Sequence, residues 1–276
     1  MSLVVDLRNG WRSDGAVALQ LAVRPLTGGD EMQLEEQSSL TPAAWANRLL
    51  AACTLDLASG SPVGLPVVRT LSLGDRERLL LAAYAANFAG TADMVLNCGK
   101  NGCGETIELQ LDLATFLAER PGRGDGAQTF TIAEGETQVT CHLPTAGDLE
   151  AVAELGRTNP AAAADALVAR CLVAASEPTG PRDPPLLDRL AKEVERRDPD
   201  AEIRIAVTCP SCGTAVQALL DAGAILRARC AMGEGIHAEV ARLARVYHWS
   251  EAEILALPRQ RRRRYLDLAA SQEAVR

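Results

Sequence analysis

The sequence predicts an α+β fold in which two cysteine-bearing β hairpins bracket an inserted β-hairpin and helical subdomain, and the chain ends in helices. Three observations predict it. Two short stretches, Cys98-Gly99-Lys100-Asn101-Gly102-Cys103-Gly104 and Cys209-Pro210-Ser211-Cys212-Gly213, each lie between segments that alternate apolar and polar residues. Between them run one more alternating pair and three segments of helical period. After them the pattern is helical throughout. Alternation at period two marks a half-buried strand, and recurrence at three and four residues marks an amphipathic helix.

The cysteine stretches have the form of metal knuckles, tight turns that aim two thiolates at one point, with a glycine after the second cysteine where the chain needs room. Aligned on the second cysteine, Ile107 falls on Val216, Glu108 on Gln217, Leu111 on Leu220 and Asp112 on Asp221. Both stretches therefore read strand, knuckle, strand, acidic residue. Together Cys98, Cys103, Cys209 and Cys212 supply four sulfurs, the complement of a closed tetrahedral zinc site, and one structural zinc per chain is the expected cofactor. The hairpins are thus zinc-ribbon-like. Disulfides, or a redox pair at Cys209 and Cys212, are the competing readings, and no strand-to-helix context of the thioredoxin kind supports the latter.

In chain order, residues 17–24 alternate as a strand and lead into the turn cluster Pro25-Leu26-Thr27-Gly28-Gly29-Asp30, so a short strand pair is expected. Thr41-Pro42 starts a helix with Trp45, Leu49, Leu50, Cys53 and Leu57 on one face, and residues 60–66 form a loop. Asp75 opens a helix with Leu79, Leu80, Ala83 and Phe88 inward that delivers the chain to the first knuckle. Beyond the knuckle, residues 106–111 are a strand, 121–126 a polar loop, and 129–132 with 137–143 a second hairpin. Three helices follow, opened by Thr145, Asn159-Pro160 and Asp183-Pro184, with 178–185 a linker before the last. Residues 202–207 return as a strand to the second knuckle. The expected units are 1–92 (strand pair and helices), 93–113 (first knuckle hairpin), 114–200 (inserted mixed subdomain), 201–222 (second knuckle hairpin) and 223–276 (C-terminal helical docking region).

Composition narrows the function classes. The chain has 276 residues, 47% of them hydrophobic and only 3% aromatic, so its core rests on Leu, Ala and Val. A net charge of −8 argues against a general nucleic-acid or anionic-membrane binder. No apolar run approaches a bilayer span, and the first residues lack a signal-peptide pattern, so the expectation is a cytoplasmic protein. In that reducing compartment the eight cysteines default to free thiols or metal ligands, and Cys53, Cys171 and Cys230 read as buried small hydrophobes. No catalytic constellation emerges. The three histidines sit in no metalloprotease or nucleophile pattern, and Cys141-His142 are strand neighbours that point to opposite faces. A four-cysteine zinc has no open coordination position, and no enzyme or small-molecule substrate is expected.

The C-terminal segment is distinctive. Ser250 with Glu253 is a capping box for a short helix that Pro258 closes, and a further helix carries six arginines against two acids. Tyr247, Trp249, Ile254 and Leu257 are large apolar groups in a chain with few aromatics, and Arg261, Arg262, Arg263 and Arg264 follow them. These eight residues are the candidate partner-binding set, since Trp, Tyr and Arg dominate interface hot spots. Packing of the apolar four onto their own domain is the competing reading.

Four segments carry a family resemblance: the knuckle followed by a strand and Leu111-Asp112-Leu113, then Arg24-Pro25-Leu26-Thr27-Gly28-Gly29-Asp30-Glu31, Leu143-Pro144-Thr145-Ala146-Gly147-Asp148-Leu149-Glu150, and the segment from Tyr247-His248-Trp249-Ser250 to Leu257-Pro258. Taken in chain order, these short motifs resemble the T-even phage baseplate protein family, which also occurs in phage-derived contractile injection systems. The resemblance implies a non-enzymatic hub component or an assembly factor, incorporated in a phage or phage-tail-like particle or absent from it, with other baseplate or hub proteins as partners. It carries over no catalytic residues. The rival reading from another class is a zinc-ribbon nucleic-acid binder.

Overall fold

The computed structural model describes residues 2–13, 16–88, 91–120, 122, 126–134, 137–175 and 184–274. At its centre lies helix α4 (Leu73–Asn87), capped by Ser72, whose hydroxyl accepts from the Asp75 N–H. Leu79, Leu80 and Ala83 are buried, as the periodicity requires, but so are Asp75, Arg76, Arg78 and Asn87. The helix has no solvent face because neighbours surround it. On one flank it meets the antiparallel sheet β1 (Leu3–Ser13), β2 (Ala16–Val23) and β3 (Thr54–Asp56), in that order, and helix α2 (Pro42–Cys53). On the other it meets α5 (Leu113–Ala118), α9 (Ala222–Ala231) and a 3-10 turn, Pro199–Ala201.

Such burial requires every polar group of α4 to find a partner. The register of β1 against β2 slips between Asp6 and Trp11, which leaves backbone N–H groups of β1 without a strand partner. Asp75 collects three of them, from Arg8, Asn9 and Gly10, at 2.6 to 2.9 Å. Arg78 donates to the Asp6 carbonyl and pairs with Asp200, which also holds Arg120. Asp198 accepts from the Gly74 N–H and the Asn9 amide. A β-carbon at Gly74 would overlap the Asp198 carboxylate, so only glycine lets the end of the insertion approach α4 this closely.

The turn cluster expected at Pro25–Asp30 is instead the entry to a helix, α1 (Gly28–Glu36). Thr27 and Asp30 form a reciprocal capping box, and the turn-forming residue types at 27–30 serve the cap. Helix α2 stops at Cys53, earlier than its apolar pattern suggested, and Leu57 lies beyond β3 and is exposed. The loop expected at 60–66 already contains the first turn of α3 (Gly64–Thr70). Two pairs of helix entries meet at single antiparallel bridges. Ser72 at the head of α4 bridges Thr145 at the head of α6 (Ala146–Thr158), with Leu73 N–H to Pro144 O and Ala146 N–H to Leu71 O. Thr27 bridges Pro258, with Gly28 N–H to Leu257 O and Arg259 N–H to Leu26 O. Three of these entries share the pattern Ser/Thr, any residue, Gly, Asp: 27–30, 72–75 and 145–148.

The insertion has its own small core. Strands β6 (Thr129–Glu134), β7 (Thr137–His142) and β8 (Leu172–Ala175) form an antiparallel sheet under α8 (Pro184–Arg197), and Phe130, Ile132, Val139, Cys141, Leu186 and Leu190 are buried between them. Strand β8 follows α7 (Pro160–Cys171) and is too short to stand out from the helical pattern before it. The insertion is nonetheless tied back to the rest, because α6 packs on α2 and α3 and Asn47 bonds the Ala146 carbonyl and Glu150. Most of the loop expected at 121–126, the tip of the second hairpin at 135–136 and the linker expected at 178–185 up to residue 183 lie outside the described residues.

Past the second hairpin, α9 belongs to the main core, where Leu226 is fully buried. The true C-terminal unit is α10 (Ile236–Tyr247), α11 (Glu251–Leu255) and α12 (Arg259–Ala274), gathered around Leu243, Ile254 and Leu266. It is locked to α1 by buried charge. Arg262, with no exposed surface, donates to Glu31 at 2.8 Å and to Glu239 at 2.6 Å, and Arg259 joins it on Glu31 at 2.7 Å. Arg262→Ala is expected to cost about 3 kcal/mol, the low end for orphaning buried charge, because Arg259 and Arg263 stay with the two carboxylates. A urea midpoint equal to wild type would contradict this.

Burial, abetted by the nearby Asp75 charge and opposed by the Gly74 N–H, raises the Asp198 carboxyl to about 7. Because this folded value lies above the unfolded one, its stabilising effect is complete below about pH 4 and is lost as pH rises through about 7. Asp198→Asn should therefore flatten the fall in stability across that window, with the Asn9 amide turning to accept. The slope left over belongs to the other carboxyls that burial raises, Glu77 to about 7 and, in the same direction, Asp75 and Glu31. Melting temperatures across the pH range check this, and parallel profiles for variant and wild type would contradict it.

Candidate metal centre

Strands β4 (Ala92–Asn97) and β5 (Thr106–Leu111) pair from Ala92 with Leu111 to Asn97 with Thr106. Strands β9 (Arg204–Thr208) and β10 (Ala215–Leu219) pair from Arg204 with Leu219 to Thr208 with Ala215. The turns at their tips are built alike. In each, the first cysteine N–H donates to the residue after the knuckle glycine, Cys98 to Glu105 O and Cys209 to Thr214 O. Gly104 and Gly213 both take the left-handed backbone, φ 67 and 70, which turns the chain back into the strand. The repeat continues past the strands. Asp112 caps α5 by accepting from Ala114 and Thr115, and Asp221 caps α9 by accepting from Ala224. The residues aligned in the sequence are thus equivalent in structure, and each hairpin hangs a helix on α4.

The two tips face each other. The Cys98 and Cys212 sulfurs are 3.6 Å apart, those of Cys103 and Cys209 are 3.8 Å apart, and all four lie within 4.8 Å of one another. An ion with metal–sulfur bonds of about 2.3 Å holds tetrahedral sulfurs about 3.8 Å apart, so the set fits one four-coordinate metal ion. Cys98 and Cys209 are buried, and Ile107 with Leu96, Leu109, Val207 and Val216 closes an apolar shell around the sulfurs. Both of these contacts run between hairpins, whereas a CxxC redox pair would join Cys209 to Cys212, and both are far longer than a disulfide bond of about 2.05 Å. Hydrogen bonds from the Thr214 hydroxyl and N–H pull the Cys212 thiol down to about 6. At Cys98 the Lys100 N–H has the same effect, but burial and the three neighbouring thiols prevail and push it up to about 12. A cysteine binds metal as the thiolate, so ligation at these four sulfurs would release protons. Among the described residues no second group of three or more His, Cys, Asp or Glu is placed to hold a metal.

The other cysteines stand apart. Cys53, Cys141 and Cys171 are fully buried, and burial raises the thiol of each. Cys230 is half-buried. His142 places its two ring nitrogens 2.7 Å from the Leu143 and Arg170 carbonyls, a tie between β7 and the end of α7, while Cys141 faces the core.

The eight residues expected to face a partner separate. Ile254 and Arg262 lie wholly inside, Ile254 in the centre of the α10–α12 cluster and Arg262 on its two carboxylates. Tyr247 and Trp249 are half-buried and stack with ring centres 5.0 Å apart, and Tyr265 meets the Trp249 ring edge-on at 4.8 Å. Leu257 is half-buried, and Arg263 leans on Glu239 at 3.4 Å. Arg261 and Arg264 remain exposed. Glu31 and Glu239, which sort these arginines, were not singled out in the sequence. Their signal was acidic residues on helix faces that must be buried, opposite arginines three residues apart.

Native mass spectrometry of protein purified without chelator is expected to find one metal ion per chain. Cys209→Ser should lose it and unfold at a lower temperature, since binding to a site that exists only in the fold can contribute on the order of 10 kcal/mol. Metal-free wild type, or a variant that melts with it, would contradict the site. Comparison of the chain with protein-family models, curated proteins and solved structures finds no match.

Proposed function

We propose that the chain is a zinc-stapled, non-enzymatic component or assembly factor of a contractile phage-tail-like baseplate, acting through protein contacts. Zinc is the ion we assign because the ligand set is four thiolates with no imidazole, carboxylate or open position. Such a set suits a redox-inert structural ion, with a single iron as the alternative of the same geometry.

The observation that carries the baseplate reading is where the resembling segments sit. Arg24–Glu31 and Tyr247–Pro258 meet at the Thr27 to Pro258 bridge, and Leu143–Glu150 supplies the Thr145 bridge to Ser72. The first knuckle builds half of the sulfur set. The likeness thus falls on the residues that set this framework, not on incidental surface, which supports a shared architecture. The nucleic-acid reading is weakened, because Arg259, Arg262 and Arg263 are spent on internal carboxylates in a chain of net charge −8.

Deleting the gene for the chain from a producing strain is expected to leave tails without complete baseplates. Mass spectrometry of wild-type particles then separates the two forms of the reading. A constant ratio to other baseplate proteins marks a built-in part, and absence from the particles marks a helper. Complete, contracting particles made without the chain would contradict both.

A further inference from the structure

The arginine run of α12 is sorted by helical phase. Arg259, Arg262 and Arg263 turn to Glu31 and Glu239. Arg261 and Arg264, three apart, turn the other way, and their guanidinium groups make no hydrogen bond or ion pair among the described residues. Tyr265 and Leu268 complete their face at the next helical positions, and Leu268 is 55% exposed. Pro258, a partner in the bridge to Thr27, and Pro25, two residues before Thr27, wall this face into a groove of about 440 Å³, with Gln260 at its edge. The floor is rigid, since Tyr265 is braced by the Tyr247 and Trp249 rings.

We infer that this groove docks an acidic segment of another protein, with two carboxylates on Arg261 and Arg264 and an apolar side chain seated among Pro25, Tyr265 and Leu268. The inference rests on the reading of the chain as a protein that works by contacts. Charge complementarity selects the occupant. The guanidinium fork matches a carboxylate, and two free arginines spaced by one helical turn match two carboxylates on one short segment. A nucleic acid needs a broader basic surface than a pair of cations, and the apolar floor offers nothing to a phosphate backbone. Neither guanidinium has an internal partner among the described residues, so replacing the two side chains leaves the ion pairs of the fold intact.

The test sorts a displayed library of random short peptides on the metal-loaded full chain, keeping those that prefer wild type to the double variant Arg261→Ala/Arg264→Ala. Selected peptides are expected to share two acidic residues three or four apart around an apolar one. They should bind wild type about tenfold or more tighter than the variant, with affinity that falls as salt rises. Circular dichroism and metal content should not distinguish the two proteins. Peptides without the acidic pair, no preference for wild type, displacement by a single-stranded oligonucleotide, or a self-association that the double variant abolishes would each overturn the assignment. Those results leave the baseplate reading standing, because it is decided by particle assembly in the deletion strain.

Discussion

A helix buried on every side is the constraint on which the rest of this structure depends. The sheet and α2 cover one flank of α4 by ordinary packing, but its other flank is covered by α5 and α9. Helix α5 has six residues and α9 ten, too few to be stable alone. Each hangs from a two-stranded hairpin, which is also marginal alone. The four cysteine sulfurs bring the hairpin tips together, and one ion on them, as proposed, would hold both helices against α4. It would also fix the ends of the insertion, which departs from α5 and returns through the 3-10 turn beside α4. Closing so long a loop in the unfolded chain costs entropy that grows only slowly with length, so a distant knuckle pair is no thermodynamic anomaly.

The polar interior follows from the same constraint. Asp75 satisfies the bulge of β1, Asp198 and Asp200 bind the end of the insertion, and Asn47 holds the head of α6. The α1 to α12 contact uses buried charge for a comparable end. Replacing such pairs with apolar groups is often harmless to stability, and their geometry instead fixes which surfaces meet. In this protein that choice decides which arginines remain free.

The hairpins, their cap residues and most helices were legible in the sequence because each is specified locally: glycine after the second cysteine, Asp112 and Asp221 at the helix heads, Thr41-Pro42, and the Ser250 to Glu253 box. The clustering of the four cysteines was legible for the same reason, since thiol pairs at knuckle spacing have few other uses. What was not legible depends on partners distant in sequence. The Thr27-Gly28-Gly29-Asp30 segment is turn-like in composition and becomes a helix entry that is bridged by Pro258. Arg76 and Arg78 would be surface residues on an ordinary amphipathic helix, and are buried because α4 has neighbours all round. Arg262 reads like its neighbours in the run until α1 and α10 supply Glu31 and Glu239. The recurring Ser/Thr, any residue, Gly, Asp signature was present in the sequence, and its threefold occurrence was the available sign of a repeated helix entry.

The proposed staple would set the shape of the protein by one ion, which suits the proposed role of a fixed part among other proteins. The measurement that tests this account most directly is X-ray absorption at the zinc edge on protein purified without added metal. The account predicts a single shell of four sulfurs at about 2.3 Å. A shell containing nitrogen or oxygen, or protein that carries no zinc and keeps its fold, would contradict it.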